Sequence, residues 1–198
     1  MLRALFEGGI VPDLIVGTSI GAMNGAAAAV EPSLEAIDRL EEVWTTLDAN
    51  EVFSGSVIAG AKTLVKTRTA LQPNLPLRRL IEKMLPAKTF DELAIPFQCV
   101  AASIERAAEH WFDSGPLVEA ILASSAVPGI LPPVKIDGEH FIDGGIVNSI
   151  PLSRAIALGA EQIYVLHVGR LDRPLEPPRS PWEVALVAFE IARRHRFI

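Results

Sequence analysis

Apolar positions fall into short continuous runs and helical stripes that alternate along the chain. The run Leu14-Ile15-Val16 predicts a strand, and the small residues of Ala22–Val30 predict a helix ended by Pro32. Ser33 predicts the cap of a second helix, with Leu34, Ile37, Leu40, Trp44 and Leu47 on one face. Between 50 and 72 the pattern weakens, yet Val57, Ile58, Ala61, Leu64 and Val65 form a stripe opposite Lys62 and Lys66. That stripe is a candidate lipid-facing element, although packing on a core is the commoner use of such a face. A short helix is expected from Pro76 to Leu85, a strand over Phe97–Ala102, a turn at Asp113-Ser114-Gly115 and a helix over Leu117–Ser124. Asp137-Gly138, between Val134–Ile136 and His140–Ile142, predicts a two-residue hairpin turn. Leu152–Leu158 predicts a helix stopped by Gly159, Ile163–Val168 a buried strand, and Trp182–Phe197 a final helix. Alternating strands and helices argue for a layered α/β fold.

Composition narrows the class. A chain of 198 residues, 49% apolar and 21% charged, is long enough for one domain with a substantial core. Residues 1–170 are expected to form that domain, the proline-rich stretch 171–181 a linker or loop, and 182–198 the start of a helical segment. The net charge of −6 argues against nucleic acid as a partner and against attraction to anionic lipid surfaces. No apolar run reaches the ~18–20 residues needed to span a bilayer. The single cysteine, Cys99, sits in an apolar run and reads as a small buried hydrophobe. The histidines at 110, 140, 167 and 195 are scattered, so no metal site and no cofactor are expected.

The chemistry concentrates at Gly17-Thr18-Ser19-Ile20-Gly21, between the first strand and the first long helix. A strand leading through Gly-x-Ser-x-Gly into a helix is the setting of a nucleophile elbow. The turn is expected to strain Ser19 and to require glycine at 17 and 21, where a Cβ would collide with neighbouring backbone. The first free N–H groups of the helix, that of Ile20 above all, would then face developing negative charge. A plain glycine-rich turn remains an alternative for the pentapeptide alone.

Asp143-Gly144-Gly145 closes the predicted hairpin. In isolation such a sequence is more often a simple turn. As chemistry, it offers a carboxylate to act as general base on a serine hydroxyl, a role worth about 10²–10⁴-fold. An aspartate with an ordinary pKa near 3.9 is a weak base, so the site should be partly desolvated. The flanks Phe141-Ile142 and Ile146-Val147 fit that need, and fit an ordinary core strand as well.

The chain resembles the patatin-like phospholipase family through Pro12–Ala26, then Ala123-Ser124-Ser125-Ala126-Val127-Pro128-Gly129, and Pro132-Pro133 onward to Asp143–Pro151. The resemblance spans roughly residues 1–170. It implies an α/β/α layered fold with a mainly parallel central sheet, and a Ser–Asp dyad with Ser19 as nucleophile and Asp143 as base. It implies hydrolysis of lipid or phospholipid esters, transient contact with a membrane surface, and a cytoplasmic or membrane-peripheral location. It further implies that the first strand and its glycine-rich oxyanion loop precede Met1, because Met1–Ile10 is similar to the helix that follows that loop. Loss of one oxyanion donor commonly lowers turnover by ~10²–10³, so slow hydrolysis is expected of the chain as written. The C-terminal pattern breaks off within a helix, so the sequence reads as part of a longer protein. Two rivals stay open: a non-catalytic lipid- or partner-binding module, and a Ser–His–Asp hydrolase using His167 after Asp143. Oligomeric state is left open.

Overall fold

A computed structural model describes residues 1–47, 73–168 and 174–195. The stripe between 50 and 72 lies outside them. The order of elements is α1 (Leu2–Glu7), β1 (Ile15–Thr18), α2 (Ile20–Val30), α3 (Leu34–Thr46), α4 (Leu75–Met84) and a 3-10 turn at Phe90–Glu92. Then come β2 (Phe97–Ser103), β3 (Ala108–Phe112), α5 (Leu117–Ser124), β4 (Val134–Ile136), β5 (Glu139–Asp143), a 3-10 turn at Gly144–Ile146, α6 (Leu152–Ala157) and α7 (Pro181–His195).

The strands form a mixed sheet with helices on both faces, the layered α/β architecture expected. β1 runs parallel to the first half of β2, with Ile15 opposite Phe97 and Thr18 opposite Val100. β5 runs antiparallel to the second half, with Phe141 opposite Ser103 and Asp143 opposite Ala101. β3 follows β2 antiparallel along its whole second half, from Cys99–Phe112 to Ser103–Ala108. Val100 and Ala101 each have a partner on β3, so β1 and β5 must share the other edge of β2 and meet there end to end. The parallel part of the sheet is thus the β1–β2 pair beneath the elbow, and the rest is antiparallel: the β2–β3 and β4–β5 hairpins and the long-range β2–β5 pair.

The core follows from residue size. Ala22, Ala26 and Ala29 of α2 have no exposed surface, which lets that helix lie close on β1 and β2. A Cβ at Gly25 would stand 2.9 Å from Ile15 Cγ2, so the contact depends on its absence. Leu80 and Ile81 of α4 and Leu117 and Ile121 of α5 complete the same layer over Phe97, Cys99 and Ala101. The intervening residue Gln98 faces the other way and accepts from Arg154 Nε of α6 at 2.8 Å. Burial pushes the Cys99 thiol up, as suits an inert core sulfur. Ser33 caps α3, its hydroxyl accepting from the Ala36 N–H at 3.1 Å. Asp137 and Gly138 have φ of 48° and 91°, the left-handed pair that a tight primed hairpin turn requires.

One expected strand is absent. Residues 163–168 are irregular, and Tyr164, Val165, Leu166 and Val168 are exposed rather than buried. A continuous apolar run forms a central strand only with neighbours on both edges, and no strand among the described residues pairs with it. Conversely β3 was not expected, because its hairpin bend places the non-glycine Ala107 at φ 49° and carries no glycine or asparagine signal.

Candidate active site

The end-to-end meeting of β1 and β5 decides what lies above it. Thr18 is the last residue of β1 and Asp143 the last of β5, and their partners on β2 are the adjacent residues Val100 and Ala101. Ser19 and Asp143, far apart in sequence, are therefore brought together by one strand. The Ser19 hydroxyl donates to Asp143 Oδ2 at 2.7 Å, with no imidazole between them.

Ser19 has φ 55° and ψ −121°, a conformation that costs a non-glycine residue on the order of 1–3 kcal/mol. Its surroundings hold it there. The Ser19 N–H donates to the buried Ser124 hydroxyl at 2.9 Å, and its carbonyl accepts from Ala22 and Met23 at 2.8 and 3.1 Å. A Cβ at Gly17 would fall 2.6 Å from the Gly21 carbonyl oxygen and 2.7 Å from Ala22 Cα, so glycine is obligatory there. Gly21 is different: nothing lies within 4 Å of its Cβ position. The expected steric demand on both flanking glycines is thus corrected to Gly17 alone, since position 21 is already inside the helix and points away from the strand.

Asp143 is wholly buried. Its N–H donates to the Ala126 carbonyl at 2.9 Å, which fixes the backbone. Its Oδ1 accepts from the Gly145 N–H at 2.7 Å, leaving Oδ2 for the serine. Desolvation raises its pKa from 3.8 to about 6, opposed by the bonds from Ser19 and Gly145 and by the charge of Arg193. A Cβ at Gly144 would meet the Val100 carbonyl oxygen at 2.1 Å, so the turn can cross β2 only as glycine. Thr18 Oγ1 donates to the Asn148 carbonyl at 2.9 Å, tying the elbow to the segment after the turn.

Ile20 begins α2, so its N–H faces the end of the helix rather than a carbonyl within it, and the residue is 47% exposed beside the serine. Hence Gly17, Thr18, Ser19, Ile20 and Gly21 form one edge of the site, and Asp143, Gly144 and Gly145 the other. Ser124 and Asn148 belong to the same cluster and were not singled out as site residues by the sequence. Ser124 ends an apolar helix, and only the partner of its hydroxyl reveals its role.

The sequence profile of the patatin-like phospholipase family matches residues 1–156, most of the chain and all of this site. The chain belongs to the patatin-like phospholipase family. It is 29% identical over 174 residues to patatin-like phospholipase domain-containing protein 6 of Homo sapiens, covering 87% of this chain and 12% of that protein. It is 27% identical over 175 residues to lysophospholipase NTE1 of Mycosarcoma maydis, 87% of this chain and 9% of the relative. With patatin-like phospholipase domain-containing protein ZK370.4 of Caenorhabditis elegans the identity is 31% over 180 residues, 87% and 12% of the two chains. The patatin-like chain thus spans about one-eighth or less of the length of these relatives. Among the described residues no helix is long and apolar enough to cross a membrane.

Proposed function

We propose that the chain is a serine acyl hydrolase of lipid esters in which Ser19 is the nucleophile and Asp143 its base. The observation that carries this is the 2.7 Å hydrogen bond from a strained serine to a fully buried carboxylate at the start of a helix. Asp143 accepts the hydroxyl proton as Ser19 Oγ forms a bond to the acyl carbon. Negative charge then develops on the carbonyl oxygen, where the Ile20 N–H and the positive end of α2 favour it. On collapse the ester C–O bond breaks and Asp143 returns the proton to the leaving alcohol oxygen. Water repeats the sequence on the acyl-serine, with Asp143 again the base, and regenerates Ser19. A carboxylate with pKa about 6 is a stronger base than one at 3.8 and is still ionised at neutral pH. Lipid esters are favoured as substrates by the family and by the name of the fungal relative, a lysophospholipase. The exposed Ile20 offers an apolar lip for an acyl chain, consistent with transient contact at a membrane surface.

The test is covalent labelling alongside turnover. A fluorophosphonate should modify wild-type protein at Ser19, and Ser19→Ala should lose both labelling and hydrolysis of a chromogenic acyl ester while remaining folded. Hydrolysis retained by Ser19→Ala, or a folded wild type that neither labels nor turns over, would overturn the assignment.

A further inference from the structure

The helix α7 lies beyond the residues matched by the family profile, yet it packs on the turn that carries Asp143. Phe189 is the buried contact: a Cβ at Gly145 would stand 3.2 Å from its Cζ. Four residues on, and so on the same face, is Arg193. Its Nη2 donates to Glu190 at 2.8 Å, and its Nε is buried without a hydrogen-bond partner among the described residues. The guanidinium thus lies on the face of α7 that meets the Asp143 turn, and a positive charge there works to lower the Asp143 pKa.

We propose that α7 is a working part of the active site, in which Phe189 fixes the Gly144–Ile146 turn and Arg193 is a positioning residue whose charge holds Asp143 available as a base. The inference rests on the function proposed above. Arg193 acts on the carboxylate and touches no reacting atom. Burial alone would push Asp143 higher, and Arg193 is the charged side chain that opposes it.

The other elements around the carboxylate carry few charged groups. β1, α2 and β2 contain no ionisable side chain except Cys99, which is buried and neutral. From α5, Glu119 is paired with Arg78 at 2.8 Å. From β3, Glu109 accepts from Asn148 Nδ2 at 3.1 Å, and the His110 ring lies 4.9 Å from that of Phe141. On the hairpin, Lys135 is opposite His140, whose Nδ1 meets Glu105 at 2.6 Å, and Glu139 is bound to Arg106. Within α7, Glu190 is the counter-charge, shared by Arg193 and by Arg194 at 3.5 Å.

The experiment titrates Asp143 directly, by the carboxyl carbon resonance of aspartate-labelled protein, with the signal assigned by its loss in Asp143→Asn. Arg193→Gln should raise the midpoint by roughly half to one pH unit, a three- to tenfold change in proton affinity. Arg193→Lys should restore it. Phe189→Leu, which loosens α7 with the charge intact, should shift it in the same direction. The acid limb of kcat/KM should move with the resonance. A midpoint that is the same in wild type and Arg193→Gln overturns the role of α7, whatever the protein hydrolyses. A midpoint that moves in a protein whose Ser19→Ala variant still turns over ester would instead retain the electrostatic link and refute the proposed chemistry.

Discussion

Asp143→Asn should make the protein more stable at neutral pH, because the wild type buries an ionised carboxylate there. The folded-state pKa of about 6 lies above the ordinary 3.8, so the folded protein binds this proton more tightly than the unfolded chain does. The stability linked to it is fully present below pH 4 and is lost as pH rises through 6. The two affinities differ by a factor of roughly 150, worth about 3 kcal/mol in all, of which about 1.4 kcal/mol falls between pH 5 and pH 8. Asparagine keeps the shape: its oxygen can accept from the Gly145 N–H and its amide can donate to Ser19 Oγ, without charge. Urea unfolding followed by tryptophan fluorescence at both pH values gives the comparison. At pH 8 the variant should be more stable by on the order of 1–3 kcal/mol, a rise of several degrees in Tm for a chain of this size. That advantage should shrink by about 1.4 kcal/mol at pH 5. Other titrating groups cancel between the two proteins. A constant difference across pH, or a variant less stable than wild type at pH 8, would refute the claim that burial dominates at Asp143.

Gly17→Ala should destabilise by about 2–4 kcal/mol through overlap with the backbone of α2, whereas Gly21→Ala, in open space within the helix, should be neutral or stabilising by about 0.5–1 kcal/mol. Equal melting temperatures for the two variants would contradict the packing described. Ser124→Ala should cost about 1–3 kcal/mol and lower kcat more than it raises KM, since it strips the acceptor from the Ser19 N–H. Ser125→Ala is the control, because its buried hydroxyl has no hydrogen-bond partner among the described residues and its loss should leave stability unchanged or higher. The pair is read by urea midpoints and steady-state ester hydrolysis, and matched losses would undo the argument.

Much of the fold was legible where local chemistry and tertiary demand coincide. Asp137-Gly138 announced its hairpin because few other residues accept two successive positive φ values. Ser33 announced its helix through an acceptor that satisfies an otherwise orphaned N–H. Ser19 and Asp143 stood out as motif residues, but their hydrogen bond depends on the register of two strands against a third, which no local pattern encodes. Residues 163–168 misled because hydropathy reports what a segment would bury and not whether a neighbour is there to bury it. Arg193 was unreadable for a related reason: periodicity assigns a residue to a helix face, and only packing says which turn that face meets.

The division of β2 between two partners has a consequence for how activity is acquired. Its first residues pair with a strand near the start of the chain and its next residues with one more than a hundred positions later. The local hairpin β4–β5 and the helix α2 can form early, but neither creates the site. The serine and the carboxylate meet only when both long loops have closed on β2 in the correct register. A slip of β5 by one residue would turn Asp143 to the opposite face while leaving a sheet that looks native by circular dichroism. During refolding, recovery of Ser19 reactivity should therefore lag behind recovery of secondary structure, making the nucleophile a clock for the last event in assembly.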